Sequence, residues 1–292
     1  LKNIQELFER GKDLLKSHAY AGVEARVLLC KSASISAETF HADGNRKLTR
    51  GQERKFLRLV SKRLSGIPIS YLTNEREFWS LSFEVYPGVL IPRPESELIV
   101  EKVVELSSKR KKSSSESDKT NEIIADIGTG SGNIAISLAR ELPGVQVVAS
   151  DISKTALNVA RMNAQNLGVS NVTFAQGSLF GPLDRFKLRG KCDFIVSNPP
   201  YVARKDWETL QPEVRDFEPK RALVAGETGL EFIQKLVKGA PKYLKPGGYL
   251  VFEIGYGQRE DVLILFNKSN KWSSVLCFDD LSGIPRIIVA CL

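Results

Sequence analysis

Histidine is nearly missing from this chain: His18 and His41 are the only two in 292 residues, and they do not sit in a ligand-like cluster. Histidine is the commonest metal ligand and the usual base of a nucleophilic triad, so neither kind of site is expected. Cysteine is scarce too. Cys30, Cys192, Cys277 and Cys291 are widely spaced and mostly in apolar runs, as suits reduced core residues and not disulfides or metal ligands. No apolar run approaches the ~20 residues that a membrane span requires. Methionine occurs once, at Met162, and the chain opens on Leu1; a processed or trimmed start is expected, with any targeting peptide lying before it. The opening residues do not have the pattern of a signal sequence.

What is present is the composition of a soluble globular protein, 42% apolar and 26% charged, at a length that suits two domains. Forty-two basic against 34 acidic side chains leave a net charge of +8, which favours an acidic partner such as RNA or a ribosome-associated protein. That charge is spread along the chain and marks no single nucleic-acid surface.

Residues 1 to about 66 read as helices. Ile4, Leu7, Phe8, Gly11, Leu14 and Leu15 recur at helical spacing, and Val23, Ala25, Val27, Leu28 and Leu29 form a second segment. A third opens on Thr49, with Gln52 as its capping-box partner, and sets Phe56, Leu57, Val60 and Leu64 on one side. Its other side carries Arg50, Arg54, Lys55, Arg58, Lys62 and Arg63, either a solvated face or a docking surface for an acidic partner. The expected first domain is 1–68, closed by Gly66-Ile67-Pro68. Residues 69–92 follow as a linking β-hairpin, because Phe78, Trp79, Leu81, Phe83, Val85 and Tyr86 are aromatic or strand-favouring and Pro87-Gly88 signals a turn. The second domain is 93–292. In the loop Ile91-Pro92-Arg93-Pro94-Glu95 two prolines hold Arg93 in place, and a helix through Leu98, Val100 and Val103 follows. Residues 107–121 read as an exposed, mobile insertion with no apolar residue to bury; their basic quartet Lys109–Lys112 resembles a nuclear address or an RNA contact, or is a loop expansion.

From Glu122 strand and helix alternate, the mark of an α/β fold. Strands are expected at 123–127, 145–149, 172–177, 192–196 and 249–254, with helices at 134–142, 154–167, 229–243 and 259–266. Lys245-Pro246-Gly247-Gly248 reads as a turn. Strands at 275–278 and 286–290, joined by a loop alone, predict an antiparallel pair at one sheet edge. Between the first strand and its helix lies Gly128-Thr129-Gly130-Ser131-Gly132, whose glycines let backbone approach a ligand closely. Nicotinamide enzymes use similar turns. Asp126 precedes the first glycine by two residues, and Asp151 closes the second strand, where a carboxylate can accept both hydroxyls of a ribose. The strand at 192–196 runs into Ser197-Asn198-Pro199-Pro200-Tyr201. Proline cannot continue a ladder, so the chain leaves the sheet stiffly, with Asn198 at the strand end where ligands of open α/β sheets bind. The turn is either a rigid strand exit or a clamp for a planar nitrogen.

With Asp126, the glycine turn, Asp151 and Asn198–Tyr201 in place, the chain closely resembles the glutamine-N5 methyltransferases of class 1 peptide-chain release factors, of bacterial or organellar type. The resemblance runs through essentially the whole chain, including the Ile91–Glu95 loop and the closing Glu253-Ile254-Gly255. Ser96 departs from the family's usual threonine, and Asn74 stands where glycine is common. The resemblance implies a seven-stranded, mostly parallel methyltransferase sheet whose last strand is antiparallel, with a small helical N-terminal domain that docks substrate. It implies methyl transfer from S-adenosyl-L-methionine, leaving S-adenosyl-L-homocysteine, to the glutamine amide of a Gly-Gly-Gln loop. On that pattern the Asn198 oxygen and the Pro199 carbonyl accept the two amide N–H groups, while Pro200 and Tyr201 wall the substrate pocket. Asp126, Gly128, Thr129, Gly130, Gly132, Asp151, Ser178, Leu179 and Asn198 are then the cofactor residues, and Arg93 and Glu95 lie near the substrate or the domain interface. Glu253 is a brace or a catalytic group. No metal is expected, the release factor is the protein partner, and neither a nucleic acid nor a membrane is needed. A monomer is expected, in a mitochondrion or plastid or otherwise in the cytoplasm. The rival is an adenine-N6 methyltransferase acting on DNA or RNA, which needs basic and aromatic residues around a flipped base; a compact helical N-terminus fits protein docking better. A nicotinamide oxidoreductase leaves Asn198–Tyr201 unexplained, and a scaffold explains only the charge.

Overall fold

A computed structural model describes residues 1–113 and 122–292. The chain divides into two compact units, Leu1–Glu75 with Gln211–Phe217, and Arg76–Leu210 with Glu218–Leu292. The first unit packs helices Ile4–Leu14, Ala21–Ala33, Ala37–Ala42, Arg50–Leu64 and Ile69–Thr73 around Ile4, Leu7, Leu28, Leu29 and Phe56. Capping boxes at Asn3/Glu6 and Thr49/Gln52 start two of them. On Arg50–Leu64 the buried stripe is Phe56, Leu59, Val60 and Arg63, spaced as i, i+3, i+4 and i+7. Arg63 therefore leaves the basic face on which it was expected, and Leu64, expected inside, is exposed. Its guanidinium grips both carboxylate oxygens of Glu24, at 3.0 and 2.8 Å, and Glu213 at 2.8 Å, which fastens the returning segment 211–217 into the unit.

The unit boundary falls after Glu75, beyond the expected 68. Residues 69–73 are helical and not part of a hairpin, and Asn74 ends that helix in the left-handed conformation that asparagine and glycine tolerate. The hairpin is β1 (Glu75–Phe78) and β2 (Leu81–Glu84), turned by Trp79 and Ser80, both left-handed. It belongs to the second unit's core, where Phe78 and Phe83 lie with Ile99, Val103 and Ile136. The helix Glu97–Ser113 takes in the first part of the expected 107–121 loop. Val100, Val103 and Ser107 continue one buried stripe, and the Ser107 hydroxyl donates to Glu122 at 2.5 Å. The remainder, 114–121, lies outside the described residues.

The second unit carries the seven-stranded sheet. Its strands are β3 (Ile123–Ile127), β4 (Gln146–Asp151), β5 (Val172–Gln176), β6 (Cys192–Ser197), β9 (Leu244–Glu253), β10 (Ser274–Asp279) and β11 (Pro285–Cys291), while β7 (Val202–Ala203) and β8 (Val224–Gly226) pair apart from it. The order is β10-β11-β9-β6-β3-β4-β5. β11 runs antiparallel to both neighbours, and the remaining pairs in the sheet are parallel. Apolar clusters cover both faces, so β6 is buried along its whole length. Lys245–Gly248, expected as a turn, lies inside β9, where a register shift against β6 between Cys192 and Phe194 accommodates Pro246. Successive strands step one way from β3 to β5 and then the other way through β6, so order reverses between β3 and β6. Ligands of such sheets bind at the carboxyl ends there.

Candidate active site

The turn after β3 is built by its backbone. Gly128 and Thr129 N–H both donate to the Ser150 carbonyl, at 2.8 and 2.9 Å, and Gly132 N–H closes on Thr129 O at 2.8 Å. Gly130 has φ +57, and a Cβ there would point into open space, so the positive φ and not crowding selects glycine. At Gly132, with φ +84, packing adds a second reason. A Cβ would stand 2.9 Å from Ile136 Cδ1 and 3.0 Å from Ala160 Cβ, where the turn meets helix Lys154–Asn166. Asp126 is buried beneath the turn and accepts the Thr129 hydroxyl at 2.6 Å. Burial pushes its carboxyl up to about 7; the Thr129 hydroxyl opposes this, the Asp151 charge adds to it, and the Ala135 N–H opposes it.

Asp151, at the end of β4, accepts Gly130 N–H on one oxygen at 2.9 Å and Ser153 N–H on the other at 2.8 Å. Each oxygen keeps a lone pair for an incoming hydroxyl. Burial raises this carboxyl above the usual range, against those two N–H groups and Arg221. Ser178 and Leu179 follow β5, with Leu179 in the left-handed region. At the end of β6, Ser197 donates to Ile127 O at 2.6 Å and so ties the two switch-point strands together.

Asn198 begins a polar chain. Its Nδ2 donates to Ser96 Oγ at 2.8 Å, Ser96 Oγ donates to Glu253 Oε2 at 2.5 Å, and the Tyr201 hydroxyl donates to Glu253 Oε1 at 3.0 Å. Glu253 is the last residue of β9 and is fully enclosed. The Glu253 charge, then burial, push the Tyr201 phenol far above its ordinary value, so it stays a donor. Arg93 is held as expected, though by a residue that sequence reasoning missed: Glu218 takes its guanidinium at 2.6 Å and the Ile91 N–H at 3.0 Å.

A cavity of about 520 Å³, within the usual range of small-molecule sites, opens at the switch point. Its lining contains Arg93, Gly128, Thr129, Gly130, Asp151, Ser178, Leu179, Asn198 and Pro200 of the expected residues. Asp126, Gly132, Glu95, Pro199 and Tyr201 are not in that lining. Asp126 and Gly132 reach it only through the turn they support. Arg221 and Lys235 also line it, without any local motif to announce them. Nor did the sequence point to Asn163, whose buried amide accepts Glu84 N–H at 2.7 Å and donates to Ser131 O at 2.9 Å and Glu84 O at 3.0 Å. The cavity suits a nucleoside: the open Cβ positions at Gly128 and Gly130 leave room for a ligand against the turn, and Asp151 offers two acceptors.

Comparison with known proteins agrees with this geometry. Residues 118–277 match the methyltransferase domain family, and residues 6–73 match the PrmC N-terminal domain. The release factor glutamine methyltransferase of Bacillus cereus is 38% identical over 287 residues, 98% of each chain. That of Geobacter sulfurreducens is 41% identical over 230 residues, 79% of this chain and 75% of its own length. That of Chlorobaculum tepidum is 40% identical over 265 residues, 90% of this chain and 88% of its own. Among solved structures, the hMettl16 catalytic domain in complex with MAT2A 3'UTR hairpin 6 superposes with a TM-score of 0.53 at 16% identity, covering 85% of each chain, which speaks for the fold alone. With 38% identity across nearly its full length and both domain matches, the chain belongs to the release factor glutamine methyltransferase family.

Proposed function

We propose that this protein methylates the side-chain amide nitrogen of a glutamine, that of the Gly-Gly-Gln motif in a class 1 peptide-chain release factor, with S-adenosyl-L-methionine as donor. The observation that carries the reading is that Asp151 and Asn198 line one cavity in a chain of this family. When bound, the donor supplies a methyl group already activated on a sulfonium. The protein's task is then alignment.

Asp151 would take the ribose hydroxyls on the lone pairs that Gly130 and Ser153 leave free. The Gly128–Gly130 backbone would lie along the methionine part, with Ser178 and Leu179 beside the adenine. Asp126 acts from below by holding Thr129. An amide nitrogen is a poor nucleophile because its lone pair is delocalised into the carbonyl. Two acceptors, the Asn198 oxygen and the Pro199 carbonyl, would hold its N–H groups and turn the nitrogen toward the methyl. Tyr201, outside the cavity lining, would back this corner with its hydroxyl on Glu253, and Arg93, clamped by Glu218, would stand at the cavity edge toward the substrate. Arg50, Arg54, Lys55, Arg58 and Lys62 are exposed on one helix of the first unit and would receive acidic groups of the release factor.

The test is transfer of labelled methyl to purified release factor. Wild type should label it, Asn198→Ala should lose at least about a hundredfold in rate, and a release factor whose Gly-Gly-Gln glutamine is replaced should stay unlabelled. Equal labelling of the altered substrate would remove the glutamine assignment, and labelling of DNA or rRNA would put the nucleic-acid rival in its place.

A further inference from the structure

Asparagine has a weakness as a clamp. Its oxygen and nitrogen are nearly the same size, and turned the wrong way it presents two N–H donors to a substrate that itself carries N–H. Something must fix the amide's orientation. Among the described residues the hydrogen bond of the Asn198 side chain goes to Ser96, a residue that is 1% exposed.

We propose that Ser96 and Glu253 are positioning residues that fix the orientation of the Asn198 amide, so that its oxygen and not its NH2 faces the substrate nitrogen. The inference rests on reading Asn198 as the amide clamp. It follows from counting hydrogens. Ionised Glu253 has only acceptors, and its two oxygens take the Tyr201 hydroxyl at 3.0 Å and the Ser96 hydroxyl at 2.5 Å. A serine hydroxyl has one hydrogen, so Ser96 Oγ, having given it to Glu253, can only accept from its remaining neighbour. That neighbour is Asn198 at 2.8 Å, and only its NH2 can donate. The polarity set by one carboxylate on β9 thus passes through the Arg93-Pro94-Glu95-Ser96 loop to the end of β6. Sequence separations of 157 and 102 residues hide this chain from any local motif.

Protonation of Glu253 would release the constraint. With a hydrogen on Oε2, Ser96 can accept it and turn its own hydrogen toward Asn198, and the amide no longer has one preferred side. Burial pushes the Glu253 carboxyl up; Ser96 and Tyr201 oppose this, Glu95 on the loop adds to it, and Arg286 on β11 opposes it. Arg93 and Arg286 also act on Tyr201. Loss of methyl transfer should therefore begin above the ordinary glutamate range as pH falls.

Two measurements test this. In the ¹⁵N–¹H spectrum, the Asn198 side-chain NH2, assigned by its loss in Asn198→Asp, should move and exchange faster with water in Ser96→Ala and stay in place in Ser96→Thr. In methyl transfer to release factor, Ser96→Ala should lower kcat about tenfold or more, with KM and cofactor affinity within about twofold; Ser96→Thr should restore it. Glu253→Gln should lower kcat and flatten the acid limb of the pH profile. An Asn198 NH2 signal unmoved in Ser96→Ala overturns the proposal, as does a wild-type kcat in that variant or an acid limb unchanged in Glu253→Gln. Failure of wild type to label the glutamine would instead bring down the proposed function, and the side-chain NH2 signal would still decide this inference.

Discussion

Asp126 sits where a carboxylate is hard to keep charged. Its folded value of about 7 exceeds the ordinary 3.8, so between those values the folded chain holds a proton that the unfolded chain has lost. Whatever Asp126 contributes to stability is thus greatest in acid and declines as pH rises toward 7, by an upper bound of about 4 kcal/mol. Asp126→Asn should remove that slope: in urea unfolding the variant should gain on wild type by roughly 1–3 kcal/mol between pH 5 and pH 8. A difference that does not change with pH would rule this out. At this scale the sequence was informative where chemistry is local. Asp126, Asp151 and Asn198 announce themselves by standing at strand ends, Asp126 just before the glycine turn and Asn198 beside proline. Ser96 and Glu218 do not, because each acquires its meaning from a partner more than a hundred residues away.

Elements, in turn, depend on single residues that join them. Asn163 on helix Lys154–Asn166 satisfies backbone groups of both β2 and the glycine turn from a position that is 1% exposed. Removing it leaves buried N–H and C=O groups without partners, at about 1–3 kcal/mol each. Asn163→Ala should cost at least about 3 kcal/mol in denaturant unfolding and loosen the turn enough to weaken S-adenosyl-L-methionine binding in calorimetry. Wild-type values on both counts would show that the hairpin and turn hold without it. The seven sheet strands were legible as short apolar runs, most of them separated by helical periods. The misses share a cause: a strong local signal was overridden by tertiary partners. Proline and two glycines at 246–248 read as a turn yet fall within β9, in the irregular stretch between Leu244 and Tyr249 where its register with β6 shifts, and Arg63 reads as surface yet meets Glu24 and Glu213 inside. At Ser107 a polar residue continues an apolar stripe because Glu122 is there to receive its hydroxyl.

Over the whole molecule, part of the excess of eight positive charges is displayed by the five exposed cations of helix Arg50–Leu64. If acidic groups of the release factor meet this face, Arg54→Glu with Arg58→Glu should raise KM several-fold at low ionic strength. The gap should shrink as salt rises past about 0.15 M, where screening reaches ~8 Å. Since these residues do not line the cavity, kcat at saturation should be preserved. Equal KM values at all salt concentrations would return the face to mere solvation.

The first unit is also discontinuous, since Glu213 of the returning segment completes the surroundings of Arg63. That has a consequence in time. A ribosome releases the first 75 residues early, yet Arg63 gains its second carboxylate only once residue 213 has emerged. At about 5–20 residues per second the wait is on the order of ten seconds. For that interval the nascent helical unit holds a guanidinium with one of its two carboxylates, and it is the finishing of the larger unit's middle that lets the smaller one close.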